Sequence, residues 1–233
     1  MPDISRRAAM GAGAGLLVGA VTSPASAQQI AAATTPKFRV QPLSFNPEKI
    51  SSLSAKAITS HHGEHYAAAV NRLNALSEQL AKLDFAATPA ATISELKREE
   101  HSVYNSTILH ELYFESLGEA PTRPSGVFAE ALARDFGTLD RWRAEFAATG
   151  KALDGGSGWV ILTYSRHDGR LVNTWASDHT QTLANGAPVL VLDMDKHAYA
   201  ADYGAEVGKY VDSFMPTIRW TTPERLYREA IRV

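Results

Sequence analysis

From Ile50 to about Leu80 the apolar residues recur at helical intervals, through Ala67, Val70, Leu73, Leu76 and Leu80, with serine and asparagine on the other faces. The pattern predicts one long amphipathic helix. After a Pro/Thr-bearing break at residues 87–90, Thr92-Ile-Ser-Glu95 has the form of a capping box and predicts a second helix, running to about Leu117 and stopped by Gly118. The two should pair as a hairpin. Shorter helical stretches follow at residues 128–136, which meet Gly137, and at residues 139–147.

The period then changes. Residues 159–164 and 171–175 are rich in β-branched and aromatic side chains, with Asp168-Gly169 between them as a hairpin turn signal, and residues 188–193 supply a third apolar strand. Helical periodicity returns at residues 198–215, and a last short helix follows Pro223. A helical front half ahead of a small antiparallel sheet flanked by helices is an α+β arrangement. The folded part should begin near Pro42: a helical hairpin over residues 42–120, then an α/β domain over residues 121–233. Residues 28–41, rich in Ala, Thr and Gln near their start, read as a flexible lead.

Residues 1–27 need separate treatment. Arg6-Arg7 precede a weakly apolar Gly/Ala-rich stretch from Ala8 to Val21, and Ala25-Ser26-Ala27 has the A-x-A form of a cleavage site. This predicts an export leader resembling the twin-arginine type, which places the mature protein in the periplasm or outside the cell. A generic secretory leader is the alternative.

Cleavage after Ala27 removes Asp3, Arg6 and Arg7, moving the formal charge from −2 to −3. A chain without a basic excess is a poor partner for nucleic acid. No later segment offers the roughly 18 apolar residues of a membrane span, so no membrane association is expected after leader removal. With no cysteine in 233 residues, disulfides, thiolate metal sites and cysteine nucleophiles are excluded, and any metal must use His, Asp or Glu.

The histidines are the chemical signal. His61 and His65, four apart in His61-His62-x-x-His65, share one helical face; a solvated histidine cluster is the plainer reading. His110 lies three residues before Tyr113-Phe114, so it should point into the apolar interior, satisfied there by a metal or by a carbonyl or carboxylate. Asp193 and His197 follow the strand Val189-Leu190-Val191-Leu192, where side chains at a strand end can converge on a cleft. A hard carboxylate with imidazoles suits iron or manganese, one ion per chain, and three neutral imidazoles with one carboxylate leave room for a solvent ligand.

Several segments, in order, resemble the iron/manganese superoxide dismutases from Pro42 to Tyr227. They are Pro42-Leu43 with Phe45, HHGEHYAAAVNRLN at 61–74, HELYFESLG at 110–118, ARDFGTLDRWRAEF at 133–146, GGSGW at 155–159 and DMDKHAYAADY at 193–203. The resemblance implies a helical hairpin domain followed by an α/β domain with a three-stranded antiparallel sheet. It also implies metal ligation by His61, His110, Asp193 and His197, with His65, Trp159 and His179 around them. His179 stands where members place a Gln or His that hydrogen-bonds the metal-bound solvent.

Four positions depart from the family pattern. Ala69 replaces a gating Tyr, Asp195 a pocket-wall Trp, Lys196 a Glu that reaches across the dimer interface, and Ala200 an interfacial Tyr. The expectation is therefore superoxide dismutation, with superoxide or another small anion as substrate and a homodimer of atypical interface. The competing expectations are an exported iron/manganese-binding protein with weak or no dismutase activity, a different oxidoreductase, and an interaction protein in which the histidines merely pack.

Overall fold

Strand β1 (Trp159–Ser165) is buried on both faces and occupies the centre of the sheet, between β2 (Arg170–Ala176) and β3 (Gly186–Asp193). Both pairings are antiparallel, and the register sets Trp159 opposite both Ala176 and Asp193. The first residue of β1 thus lies beside the last of β3. The β1–β3 register shifts between Leu162 and Thr163, next to Pro188, which has no N–H to give the ladder and sits on an edge strand.

These features come from a computed structural model that describes residues 37–120, 122–153 and 156–232. These described residues form one compact unit. The expected leader, most of the expected lead and Gly155 of the GGSGW motif lie outside the described residues.

The front half is a hairpin, and its first arm is not one uniform helix. Ser54 caps α1 (Ala55–Ser60) by accepting a hydrogen bond from the Ala57 amide, a π-helical turn spans His61–Tyr66, and α2 (Ala67–Ala81) completes the arm. On an α-helix residues five apart are displaced by about 140° around the axis. The wider i→i+5 turn brings His61 and Tyr66 to one side, and both are buried. The second arm, α3 (Ala90–Glu115), starts after Pro89, so the Thr92–Glu95 pattern lies within the helix rather than capping it.

Two apolar clusters hold the unit. A small one closes the far end of the hairpin with Leu76, Leu80 and Leu96. The larger runs from Ile58 and Val70 through Leu109 and Tyr113 into β1 and β3. Each fully buried side chain of this kind contributes roughly 1.5–3 kcal/mol relative to exposure.

The helices α4 (Gly126–Phe136) and α5 (Leu139–Ala152) are separated by Gly137, whose φ of +86° favours glycine. The predicted helix at residues 198–215 is two: α6 (Lys196–Tyr203) ends at Gly204, with φ +56°, and α7 (Val207–Phe214) follows; α8 (Thr221–Ala230) is last. The α+β order is as expected. Among the described residues no helix is long and apolar enough to cross a membrane.

Candidate metal centre

Four elements deliver the expected residues to one point. His61 opens the π turn, His110 lies in the last third of α3, Asp193 ends β3 and His197 is the second residue of α6. One ligand atom from each lies within 4.8 Å of the others. Asp193 Oδ2 is 3.1 Å from His61 Nε2, 3.4 Å from His197 Nε2 and 3.6 Å from His110 Nε2. His110 and His197 bring their Nε2 atoms to 3.4 Å.

Burial makes this arrangement costly without a cation. His61, His110 and Asp193 have side chains at most 2% exposed, whereas His197 retains 21% and forms the open side. Both ring nitrogens of His61 and Oδ2 of Asp193 lack a hydrogen-bond partner. Unsatisfied polar atoms at such depth are rare in folded proteins. A metal ion among the three imidazoles and the carboxylate would satisfy His61 Nε2 and Asp193 Oδ2 together.

The protonation states suit that role. Burial pulls His110 down to about 3 and also lowers His61, so both are neutral at physiological pH. Burial opposes ionisation of Asp193, but its contacts with His197 and His61 outweigh it and hold the carboxyl well below the usual range. For His197 burial alone would lower the pKa, yet the Asp193 carboxylate reverses the direction and raises it. His110 Nδ1 lies 2.7 Å from the Ser106 carbonyl, so it donates there and leaves the Nε2 lone pair facing the centre.

Other residues frame the four. The His65 ring stacks on His197 at 4.0 Å and 9°, on the exposed side. His179 Nδ1 accepts a 2.8 Å hydrogen bond from the indole N–H of Trp159, its carbonyl accepts one of 2.6 Å from Asn105, and its ring lies 6.2 Å from that of His110. The Asp195 amide donates to Asp193 Oδ1 at 2.8 Å. The half-buried Asp195 carboxyl is raised by burial and by the Asp193 charge, and its Oδ2 has no partner. Exposed Lys196 lays its alkyl stem over Gly156, where a Cβ would come within 2.3 Å of it.

Three supporting residues were not anticipated from sequence. The Ser106 carbonyl, one helical turn before His110, could have been found from the i−4 spacing. Asn105 has no such signal. Nor does Tyr210, whose hydroxyl donates a 2.8 Å bond to the Asp193 carbonyl and contacts the Tyr113 hydroxyl at 3.2 Å.

Residues 124–226 match the family described as iron/manganese superoxide dismutases, C-terminal domain. The chain is 52% identical over 195 residues to an iron superoxide dismutase of Cupriavidus metallidurans, covering 84% of this chain and 98% of that one. It is 32% identical over 197 residues to a manganese superoxide dismutase of Halobacterium salinarum, covering 83% and 96%. An iron superoxide dismutase of Aquifex aeolicus is 31% identical over 202 residues, covering 83% and 93%. With such identity along nearly its whole folded length, and with three imidazoles and a carboxylate gathered at one buried point, the chain belongs to the iron/manganese superoxide dismutase family.

Proposed function

We propose that this chain is an iron- or manganese-dependent superoxide dismutase working in an exported compartment, converting two superoxide anions and two protons to dioxygen and hydrogen peroxide. The observation that carries the reading is the convergence of His61, His110, Asp193 and His197, with buried ligand atoms that no protein group satisfies. When bound, the ion would supply reversible one-electron exchange.

The chain's own residues set the conditions for that exchange. His61, His110 and His197 would hold the ion as neutral imidazoles, and Asp193 would offset one unit of its charge. His179, its Nδ1 already accepting from Trp159, keeps its proton on Nε2 as a donor for solvent at the centre. His65 braces the His197 ring on the side open to solvent. Ala69 carries no hydroxyl, so protons reach the site from water at that open side.

Export is supported by Arg6-Arg7, the apolar stretch to Val21 and Ala25-Ser26-Ala27. Fractionation with N-terminal sequencing checks it: the expected product begins at Gln28 outside the cytoplasm, and an uncleaved cytoplasmic chain rejects the compartment. The active unit is a homodimer with an atypical interface, checked by sedimentation.

The activity is tested on leaderless protein loaded with iron or manganese, by superoxide loss against the same concentration of free ion. Turnover no better than free ion rejects it. Ala69, Asp195 with its unpartnered oxygen, Lys196 and Ala200 favour a second reading: an exported iron/manganese-binding protein with weak or no dismutase activity, or an oxidoreductase of other substrates.

A further inference from the structure

Two of the three helical segments that supply a histidine to the centre, the π turn and α3, each also supply one member of a second, hydrogen-bonded pair. Tyr66 closes the π turn that His61 opens, and Glu111 follows His110 in α3. The buried Tyr66 hydroxyl donates to Glu111 Oε1 at 2.9 Å and accepts from the Gln41 amide at 2.9 Å. Its ring stands 6.3 Å from that of His110, inclined by 28°.

On its other side Tyr66 lines a pocket of about 380 Å³, bounded by residues 41–44 and by His62, Glu111, Phe114 and Glu115. A phenol with a carboxylate already accepting its proton is equipped to lose one electron and that proton together. Its place between a ligand ring and a pocket open to solvent gives the electron a source and a destination.

We propose that Tyr66, with Glu111 as its proton acceptor, is a one-electron relay between the metal centre and this pocket, giving the protein a secondary peroxidase activity. The inference rests on the metal-centre reading above. Hydrogen peroxide takes one electron from the reduced ion and one from Tyr66; its O–O bond breaks, and with two solvent protons both oxygens leave as water. The Tyr66 proton passes to Glu111. A small electron donor in the pocket then returns an electron to Tyr66, and Glu111 returns the proton; a second donor restores the reduced ion. Two donors are oxidised by one electron each per peroxide. With Glu115 paired to Arg225 at 2.7 Å and Glu111 carrying the transferred proton when the donor acts, the pocket suits small neutral aromatic donors.

The experiment mixes reduced, iron-loaded leaderless protein with hydrogen peroxide and a nitroso spin trap, and maps adducts by peptide mass spectrometry. The Tyr66 peptide is expected to carry the main tyrosine adduct. Zinc-loaded protein, whose ion has no redox chemistry, should give none. Peroxide-dependent oxidation of tetramethyl-p-phenylenediamine, a small arylamine that is mostly uncharged above neutral pH, should fall about tenfold in Tyr66→Phe and in Glu111→Gln, the scale of an outer-shell loss. Adducts on other tyrosines with Tyr66 clean in the unsubstituted protein overturn the relay, as does unchanged amine oxidation in both variants. The unsubstituted protein carries the adduct test even if a variant fails to fold. A chain that retains no iron overturns both readings, whereas iron retained with Tyr66 clean overturns the relay alone, and superoxide loss is scored separately.

Discussion

Trp159 holds His179 by a 2.8 Å hydrogen bond from its indole N–H to Nδ1, which fixes the imidazole in the tautomer protonated at Nε2. Trp159 is itself held: its backbone pairs with Ala176 and Asp193 on the two neighbouring strands, and its side chain is fully buried. The sheet register therefore holds Trp159 between His179 and the ligand His110, whose ring it meets edge-on at 5.1 Å.

Trp159→Phe removes that bond and leaves a partly filled space. The bond is worth about 0.5–1.5 kcal/mol, and unfilled core volume adds to the loss. A fall in melting temperature of several degrees is expected by calorimetry, at roughly 2–4 °C per kcal/mol. The more specific outcome is in the nitrogen-15 spectrum, where His179 should change from one tautomer to an exchanging mixture. Dismutase turnover should drop by about 10–100-fold, as outer-shell losses do. An unchanged His179 resonance pattern would remove Trp159 from this role.

The ligand residues make a separate prediction. Protein that binds an ion only when native gains about 2.7 kcal/mol at a hundredfold excess over the dissociation constant, a rise of roughly 5–10 °C in melting temperature. His110→Ala and Asp193→Ala should lose that rise when iron or manganese is added, and elemental analysis should find their metal content near zero. His65→Ala, outside the four-atom group, should keep most of both. Metal content equal to the unsubstituted chain in both ligand variants would leave the four residues without their assigned role.

Helix and strand identities were legible because each has one dominant period. The interior position of His110 was legible from its spacing to Tyr113 and Phe114. The π turn at His61–Tyr66 was not, because a single widened turn barely disturbs the apolar pattern of Val70, Leu73 and Leu76 that follows. The break at Gly204 was obscured by apolar residues continuing on both sides of it. Asn105 and Tyr210 act on residues 74 and 17 positions away, through contacts that only the assembled fold creates. The four metal-site residues became legible as a set only through ordered family motifs, since no local spacing joins His110 to Asp193.

The departures at Ala69 and Lys196 can be tested by reversal. Ala69 is half-buried on α2 and Lys196 is exposed at the start of α6, so neither Ala69→Tyr nor Lys196→Glu disturbs the deep core. If these positions limit proton supply and assembly, the double variant should raise dismutase turnover by about tenfold or more and increase the dimer fraction in sedimentation. Turnover unchanged in a correctly metallated double variant would favour the metal-binding reading.

The pH dependence of the metal-free protein follows from the buried imidazoles. His110 is held near 3 by burial and His61 is also lowered, so in the folded state both stay neutral where the unfolded chain, at 6.5, takes up protons. Below pH 6.5 the unfolded state then binds more protons, and stability falls as pH falls. For His110 the loss at pH 5 is about 2 kcal/mol, one and a half pH units below its unfolded value. His197 is raised and works the other way, gaining stability on protonation, but it is one group against three, since the more exposed His65 is lowered as well. Asp193, held low, adds its own loss only at much lower pH, as its carboxyl protonates. Thermal melts of metal-free protein should therefore show the midpoint dropping between pH 7 and 5. His110→Gln, which keeps a polar side chain but cannot titrate, should flatten that drop, and an equally steep profile in this variant would mean that the buried imidazole is not its source.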